Sequence, residues 1–275
     1  MSITIANYDY GQKITADAPA STLSGFVALI TDANLDPTFF DNVDNDGGDI
    51  RVSINADGTS QLPIEKIICN ISTGKLILWV RFPTFSTSAR ELYIFSGNTG
   101  QTQPSVTATY GRNNVWQDYA YVLHNALDDS TGNISAPIVT GTATPVVGPF
   151  GNSGGGHSYD GKNNYLTGAF TGYNDVFTLQ STSTLGADRI HCLGKTGSSG
   201  NQINLESVNT SNRDKISLNV PGGGASDVVN SMPFNEYNYL VARQIGLSER
   251  NIYANFGFVS ATDTSTITST GQRCI

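Results

Sequence analysis

Asp46-Gly47-Gly48-Asp49-Ile50-Arg51-Val52-Ser53-Ile54 opens on a glycine turn and then alternates, with Ile50, Val52 and Ile54 on one side and Arg51 and Ser53 on the other. Strict period-two alternation marks a half-buried strand, because successive side chains of an extended chain point to opposite faces. The same pattern recurs at 215–220. It recurs again at 251–259, where Ile252, Ala254, Phe256 and Phe258 face one way and Tyr253, Asn255 and Gly257 the other. More continuous apolar runs at 26–31, 76–82 and 237–242 predict central strands covered on both faces. Asp57-Gly58, Thr73-Gly74, Asp160-Gly161 and Pro221-Gly222-Gly223-Gly224 supply turns between them. One helical turn is expected at 35–40, with Pro37 early in it. The reading is all-β: short antiparallel strands packed as sandwiches, not βαβ units.

Composition agrees. The chain has 275 residues, 14% of them charged, with a net charge of −8. Its acids are 18 Asp and only 5 Glu, and Asp favours turns where Glu favours helices. A hydrophobic share of 38% is too high for a disordered chain. The negative balance offers no footprint for nucleic acid, and no apolar run reaches the ~20 residues of a membrane span. Met1-Ser2-Ile3-Thr4-Ile5 has neither a basic region nor an apolar core, so no secretory signal is expected. Cys69, Cys192 and Cys274 lack metal-type spacing and read as free thiols.

Residues 97–112, rich in Thr, Gln, Gly and Pro, carry no sustained apolar pattern and predict a boundary. The expected domains are 1–112 and 113–275, with 141–156 a long loop inside the second.

The first domain resembles the DUF2341 family, a β-rich module of unknown biochemical role. The resemblance is carried by Asp46-Gly47-Gly48-Asp49-Ile50-Arg51-Val52, Gln61-Leu62-Pro63-Ile64-Glu65, Leu78-Trp79-Val80-Arg81-Phe82-Pro83 and Leu92-Tyr93-Ile94-Phe95-Ser96-Gly97-Asn98. Phe95-Ser96 departs from the family's usual Tyr-Tyr. The second domain resembles the laminin-G-like, concanavalin A-like jelly rolls that often follow it. There the matches are Val115-Trp116-Gln117-Asp118-Tyr119, Val122-Leu123-His124, Asp128-Asp129-Ser130-Thr131-Gly132-Asn133, Ser158-Tyr159-Asp160-Gly161, Tyr239-Leu240-Val241-Ala242 and Asn251-Ile252-Tyr253-Ala254. The chain stops at Cys274-Ile275, where such sandwiches continue, so the second domain is expected to be short, with an edge open to another subunit.

Catalysis finds little support in the residues. Related glycanases place two Glu and an Asp on one strand, whereas Glu65, Glu91, Glu206, Glu236 and Glu249 are scattered. His124, His157 and His191 accompany no nucleophile elbow, and His191 and Cys192 point oppositely on a strand. The strongest metal candidate is calcium at Asp41, Asp44, Asp46 and Asp49, hard oxygen ligands around a glycine turn. The alternative there is an Asx-rich turn leading into a strand. Asp128, Asp129 and Asn133 form a second candidate. No cofactor is required. Glycan binding, implied by the fold resemblance, falls on Tyr165, Tyr173, Asn163 and Asn164, with Tyr237, Tyr239 and Asn174 chemically similar.

The expected function is therefore a non-enzymatic virion surface protein, a bacteriophage capsid decoration or tail-fibre component. A lectin-like domain would attach it to surface glycans, with other virion proteins and copies of itself as partners. The alternatives are a secreted bacterial adhesin and, less favoured, a glycoside hydrolase.

Overall fold

The computed structural model describes residues 5–133 apart from 45, 89, 120 and 125–127; beyond these it describes the strands named below and residues 142, 147, 148, 151 and 153–155. Two compact units divide the chain, Met1–Asn133 and Ile134–Ile275. Each consists mostly of strands in antiparallel sheets, and among the described residues the one α-helix is a single turn, α1 (Arg112–Val115).

The first unit contains β1 (Tyr10–Ala16), β2 (Leu23–Thr31), β3 (Arg51–Ser53), β4 (Ile64–Asn70), β5 (Lys75–Phe85) and β6 (Arg90–Ser96). They form two three-stranded sheets, ordered β1-β6-β3 and β2-β5-β4. One side of β5 carries Leu76, Leu78, Val80 and Phe82 into a buried cluster with Ile30, Ile64, Val52, Leu92 and Ile94, so both sheets contribute to the same core. Removing each such side chain from water stabilises the fold by about 1.5–3 kcal/mol. Phe39 and Phe40 enter the cluster from a 3₁₀ turn, Pro37–Asp41. The Asp36 side chain caps that turn by accepting from the Thr38 N–H, as the position of Pro37 leads one to expect.

In the second unit the strands are β7 (Ile138–Thr140), β8 (Thr144–Val146), β9 (Gly156–Ser158), β10 (Tyr165–Gly168), β11 (Phe177–Thr184), β12 (Leu193–Lys195), β13 (Asn204–Asn209), β14 (Asp214–Asn219), β15 (Ser226–Val229), β16 (Tyr237–Ile245), β17 (Glu249–Ala254), β18 (Gly257–Ala261) and β19 (Arg273–Cys274). One sheet runs β15-β14-β13-β12-β19-β10-β7, another β11-β16-β17-β18, and β8 pairs with β9. The terminal strand β19 sits between β12 and β10, with Cys274 opposite both Gly194 and Thr167. The residues expected to leave the second domain short thus occupy an interior place in its larger sheet.

Three strand readings change in detail. β3 is only three residues long and buried on both faces, because the loop after β6 covers the side that carries Arg51. β2, read as central, is an edge strand. The 251–259 stretch is two strands paired from Ala254↔Gly257 outward, so Val259 lies opposite Ile252 and Phe258 opposite Tyr253, and Phe258 does not share the face of Ile252 and Ala254 that unbroken alternation predicts.

The compact first unit reaches Asn133, past the composition change at 97–112. That change marks an irregular loop within the unit. The chain then returns with Trp116, whose indole is buried against β4.

Candidate functional site

β4 and β5 pair so that Glu65 lies opposite Trp79, and directly paired residues share a face. Alternation sends Trp79 and Arg81 away from the core that takes Leu78, Val80 and Phe82. This second face of the β2-β5-β4 sheet is covered by the segment that begins at α1. Trp116, 5.5 Å from Trp79 between ring centroids, crosses it edge-on at 67°. The His124 ring stacks on Trp79 at 5.4 Å and 20° and tilts against Trp116 at 4.9 Å. Tyr119 closes the group edge-on to Trp116 at 5.1 Å. The chain's two tryptophans therefore meet in one place.

Glu65 is the polar centre of this cluster. Trp116 Nε1 donates to its Oε2 at 2.5 Å, and Ser130 Oγ donates to its Oε1 at 2.5 Å. His124 Nδ1 lies 3.0 Å from Oε2 without an aligned hydrogen bond. A buried carboxylate with too few donors costs several kcal/mol, and these partners offset that cost.

The wiring limits the chemistry. Nucleophilic catalysis requires the imidazole between hydroxyl and carboxylate, so that the base takes the hydroxyl proton. Here the carboxylate lies between the serine and the histidine, which makes the trio a structural clamp. Beside it a cleft of about 500 Å³ is lined by Glu65, Lys66, Gln103, Val106, Arg112 and Ser130 among others. Arg112 Nη1 pairs with Asp128, which holds the guanidinium above its ordinary value. Farther along the same face Arg81 pairs with Asp118 at 2.7 Å. Gly25 allows that approach: its φ is +63°, and a Cβ there would lie 2.3 Å from the Asp118 carboxylate.

The aspartates proposed for calcium sit elsewhere in the unit, and backbone donors engage three of them. Asp49, fully buried, accepts from the Asp44 N–H at 3.1 Å and the Gly97 N–H at 2.6 Å. Asp44 accepts from Gly100 N–H at 2.9 Å, and Asp46 from Gly48 N–H at 2.7 Å. Asp41 ends the 3₁₀ turn, exposed. Among the described residues, no three His, Cys, Asp or Glu side chains converge as a metal would require. What the stretch builds is a latch. Arg51 donates to the Gly48, Ile50 and Thr102 carbonyls at 2.7–2.8 Å, tying the turn to the loop after β6. Burial pushes this guanidinium down, opposed by Tyr8 and Asp49. Gly48 permits the close approach, since a Cβ would come within 2.8 Å of the Gln101 carbonyl.

In the second candidate, Asp129 accepts from the N–H groups of Val122, Thr131 and Asn133, closing a turn. Of the glycan candidates, Tyr165 begins β10 and Tyr237 and Tyr239 lie on β16, while Asn163, Asn164, Tyr173 and Asn174 lie outside the described residues, as do His191 and Cys192. His157 is on β9. Sequence reasoning missed Glu65 as a centre. Its signal was a lone acid between Ile64 and Lys66-Ile67-Ile68, in a chain with only two tryptophans. No family model, no curated protein and no solved structure matches this chain.

Proposed function

We propose that the chain is a non-enzymatic attachment protein of a virion surface, a bacteriophage capsid decoration or tail-fibre component, built of two consecutive β-sandwiches. In this reading the first is DUF2341-like and the second a laminin-G/concanavalin A-like jelly roll that holds surface glycans. The observation that carries it is the Ser130–Glu65–His124 order. Acid, imidazole and hydroxyl meet here wired as a clamp and packed between tryptophans. A hydroxyl-rich, sparsely charged all-β chain is the composition this reading expects. Sugars are held by aromatic faces and by amide and carboxylate groups, the chemistry of Tyr165, Tyr173, Asn163 and Asn164.

Mass spectrometry of purified particles tests the context: the chain is expected among virion proteins, in hundreds of copies for a capsid coat or a handful for a tail. Its absence from particles overturns the virion reading. A polysaccharide pull-down on host envelope glycans, with and without chelator, tests attachment. Capture by at least one glycan is expected, and release of oligosaccharide from β-glucan would restore the enzymatic alternative.

A further inference from the structure

The cleft beside Glu65 is lined in succession by Glu65, Lys66 and Ile67 of β4. Strict alternation would turn every second residue of a strand away. Here the register against β5 shifts from Lys66↔Leu78 to Ile68↔Ile77, which leaves Ile67 unpaired as a bulge. The rest of the lining comes from 103–106, from Arg112 at the start of α1, and from Asp128 and Ser130. Backbone bonds close the loop between 105 and 113: Ala108 N–H donates to the Ser105 carbonyl, Gly111 N–H to Ala108, and Asn113 N–H to Val106. Gly111 permits this closure, since a Cβ there would collide with the Ser105 carbonyl. The wall is therefore shaped before a ligand arrives, which lowers the cost of binding.

The chemistry of the lining selects a class of ligand. Lys66 and Arg112 stand against Glu65 and Asp128, so the formal charges cancel and offer an ion no net attraction. Glu65 is already held by Trp116 and Ser130, and the Lys66 ammonium donates to the Asp46 carbonyl. Arg112 and Asp128 hold each other, and the Asp128 side chain is largely exposed. Such a pair is worth little and gives way readily to other partners. Its guanidinium fork donates and its carboxylate accepts, which two neighbouring hydroxyls satisfy at once. Gln103 and Ser105 add an amide and a hydroxyl, while Ile67, Pro104 and the exposed Val106 supply apolar surface. We propose that this cleft binds an uncharged saccharide, with vicinal hydroxyls on Arg112 and Asp128 and a C–H face of the ring against Val106. Its volume of about 500 Å³ falls within the ~300–1,000 Å³ of small-ligand sites. The inference rests on the glycan-attachment reading but gives the first unit a site of its own, apart from Tyr165 and Tyr239.

Amide-shift mapping of the full chain by NMR tests this, with maltotriose, cellotriose and mannotriose as probes at millimolar concentration. At least one probe is expected to move the amides of Gln103, Ser105, Val106, Arg112 and Asp128, and to saturate. Asp128→Ala should weaken that probe at least roughly tenfold, through loss of a charge-assisted hydrogen bond. Arg112→Lys, which keeps the charge but not the fork, should weaken it in the same direction and serves if Asp128→Ala fails to fold. The amide pattern of β5 should be kept in both variants. No shift in the cleft with any probe overturns the proposal, as does an affinity indifferent to both substitutions. Shifts confined to second-unit amides overturn it while leaving glycan attachment standing. Equal shifts with glycerol, or tighter binding of trigalacturonate than of every neutral probe, overturn the assignment to an uncharged saccharide.

Discussion

The Trp116 indole N–H meets Glu65 Oε2 at 2.5 Å, joining residues 51 positions apart. This bond closes a loop from β4 through β5, β6 and the irregular stretch to α1, so it fixes where the chain returns as well as how Glu65 is satisfied. Both tryptophans belong to this one cluster, and tryptophan fluorescence, excited selectively, therefore reports on the first unit alone.

Glu65→Ala removes the acceptor for two buried donors and the carboxylate beside His124. Leaving such donors unpaired costs about 2–5 kcal/mol. Urea unfolding followed by tryptophan fluorescence should show a midpoint lowered accordingly, with the slope unchanged. Glu65→Gln keeps one carbonyl acceptor and should fall between the two. A wild-type midpoint for Glu65→Ala would mean that the donors find water in the folded unit.

Much of the architecture was legible in the sequence because β-structure writes itself in period two. β5 and β14 were read from alternation and apolar runs, and the capped turn after Asp36 from its proline. The site was less legible, for a physical reason. Glu65, Trp79, Trp116 and Ser130 come together through long-range packing, and no local period records which face of a sheet a later segment will cover. The aspartate-rich turn is ambiguous in another way. Carboxylates around glycine suit a cation, but they equally suit neighbouring N–H groups, and two of the N–H groups they hold, those of Gly97 and Gly100, come from the loop after β6, distant in sequence.

Asp49 shows what these N–H contacts are worth. Its two oxygens hold the Asp44 and Gly97 N–H groups, and it lies close enough to the buried Arg51 to oppose the downward push of burial on the guanidinium. Asp49→Ala strands two N–H groups and leaves Arg51 with carbonyl partners only, a loss of about 3–5 kcal/mol. Asp41→Ala, on the exposed turn, should stay within about 0.5 kcal/mol of wild type. Equal losses for the two variants, measured by the same urea titration, would point back to a shared cation.

Acid should weaken the first unit through identifiable carboxylates. The Thr38 N–H and hydroxyl hold Asp36 below its ordinary 3.8; the Thr59 hydroxyl and N–H do the same for Asp57. Lys13, then Tyr93, hold Glu91 below 4.5. Each folded-state value is depressed, so as pH falls the unfolded chain takes up protons first. The stabilisation is complete above the ordinary values and is lost as pH falls through the depressed ones. Asp36→Asn, Asp57→Asn and Glu91→Gln combined should flatten the fall in urea midpoint below about pH 4.5, relative to wild type. An acid limb of unchanged steepness would place the responsible groups elsewhere.

Cys69 should be a slow thiol. Its Sγ packs so closely on Gly47 that a Cβ there would come within 2.7 Å of it. Burial pushes the thiol up, and Lys66 opposes this less strongly. Because the thiolate is the nucleophile, a raised value and restricted access both slow disulfide exchange. In a chain carrying Cys192→Ser and Cys274→Ser, an aromatic disulfide reagent at pH 8 should react with Cys69 at least roughly tenfold more slowly than with free glutathione. Urea should abolish the difference. Reaction at the glutathione rate in the folded protein would show that the Asp46–Gly47 turn opens readily, and Gly47→Ala would then be tolerated instead of displacing Cys69.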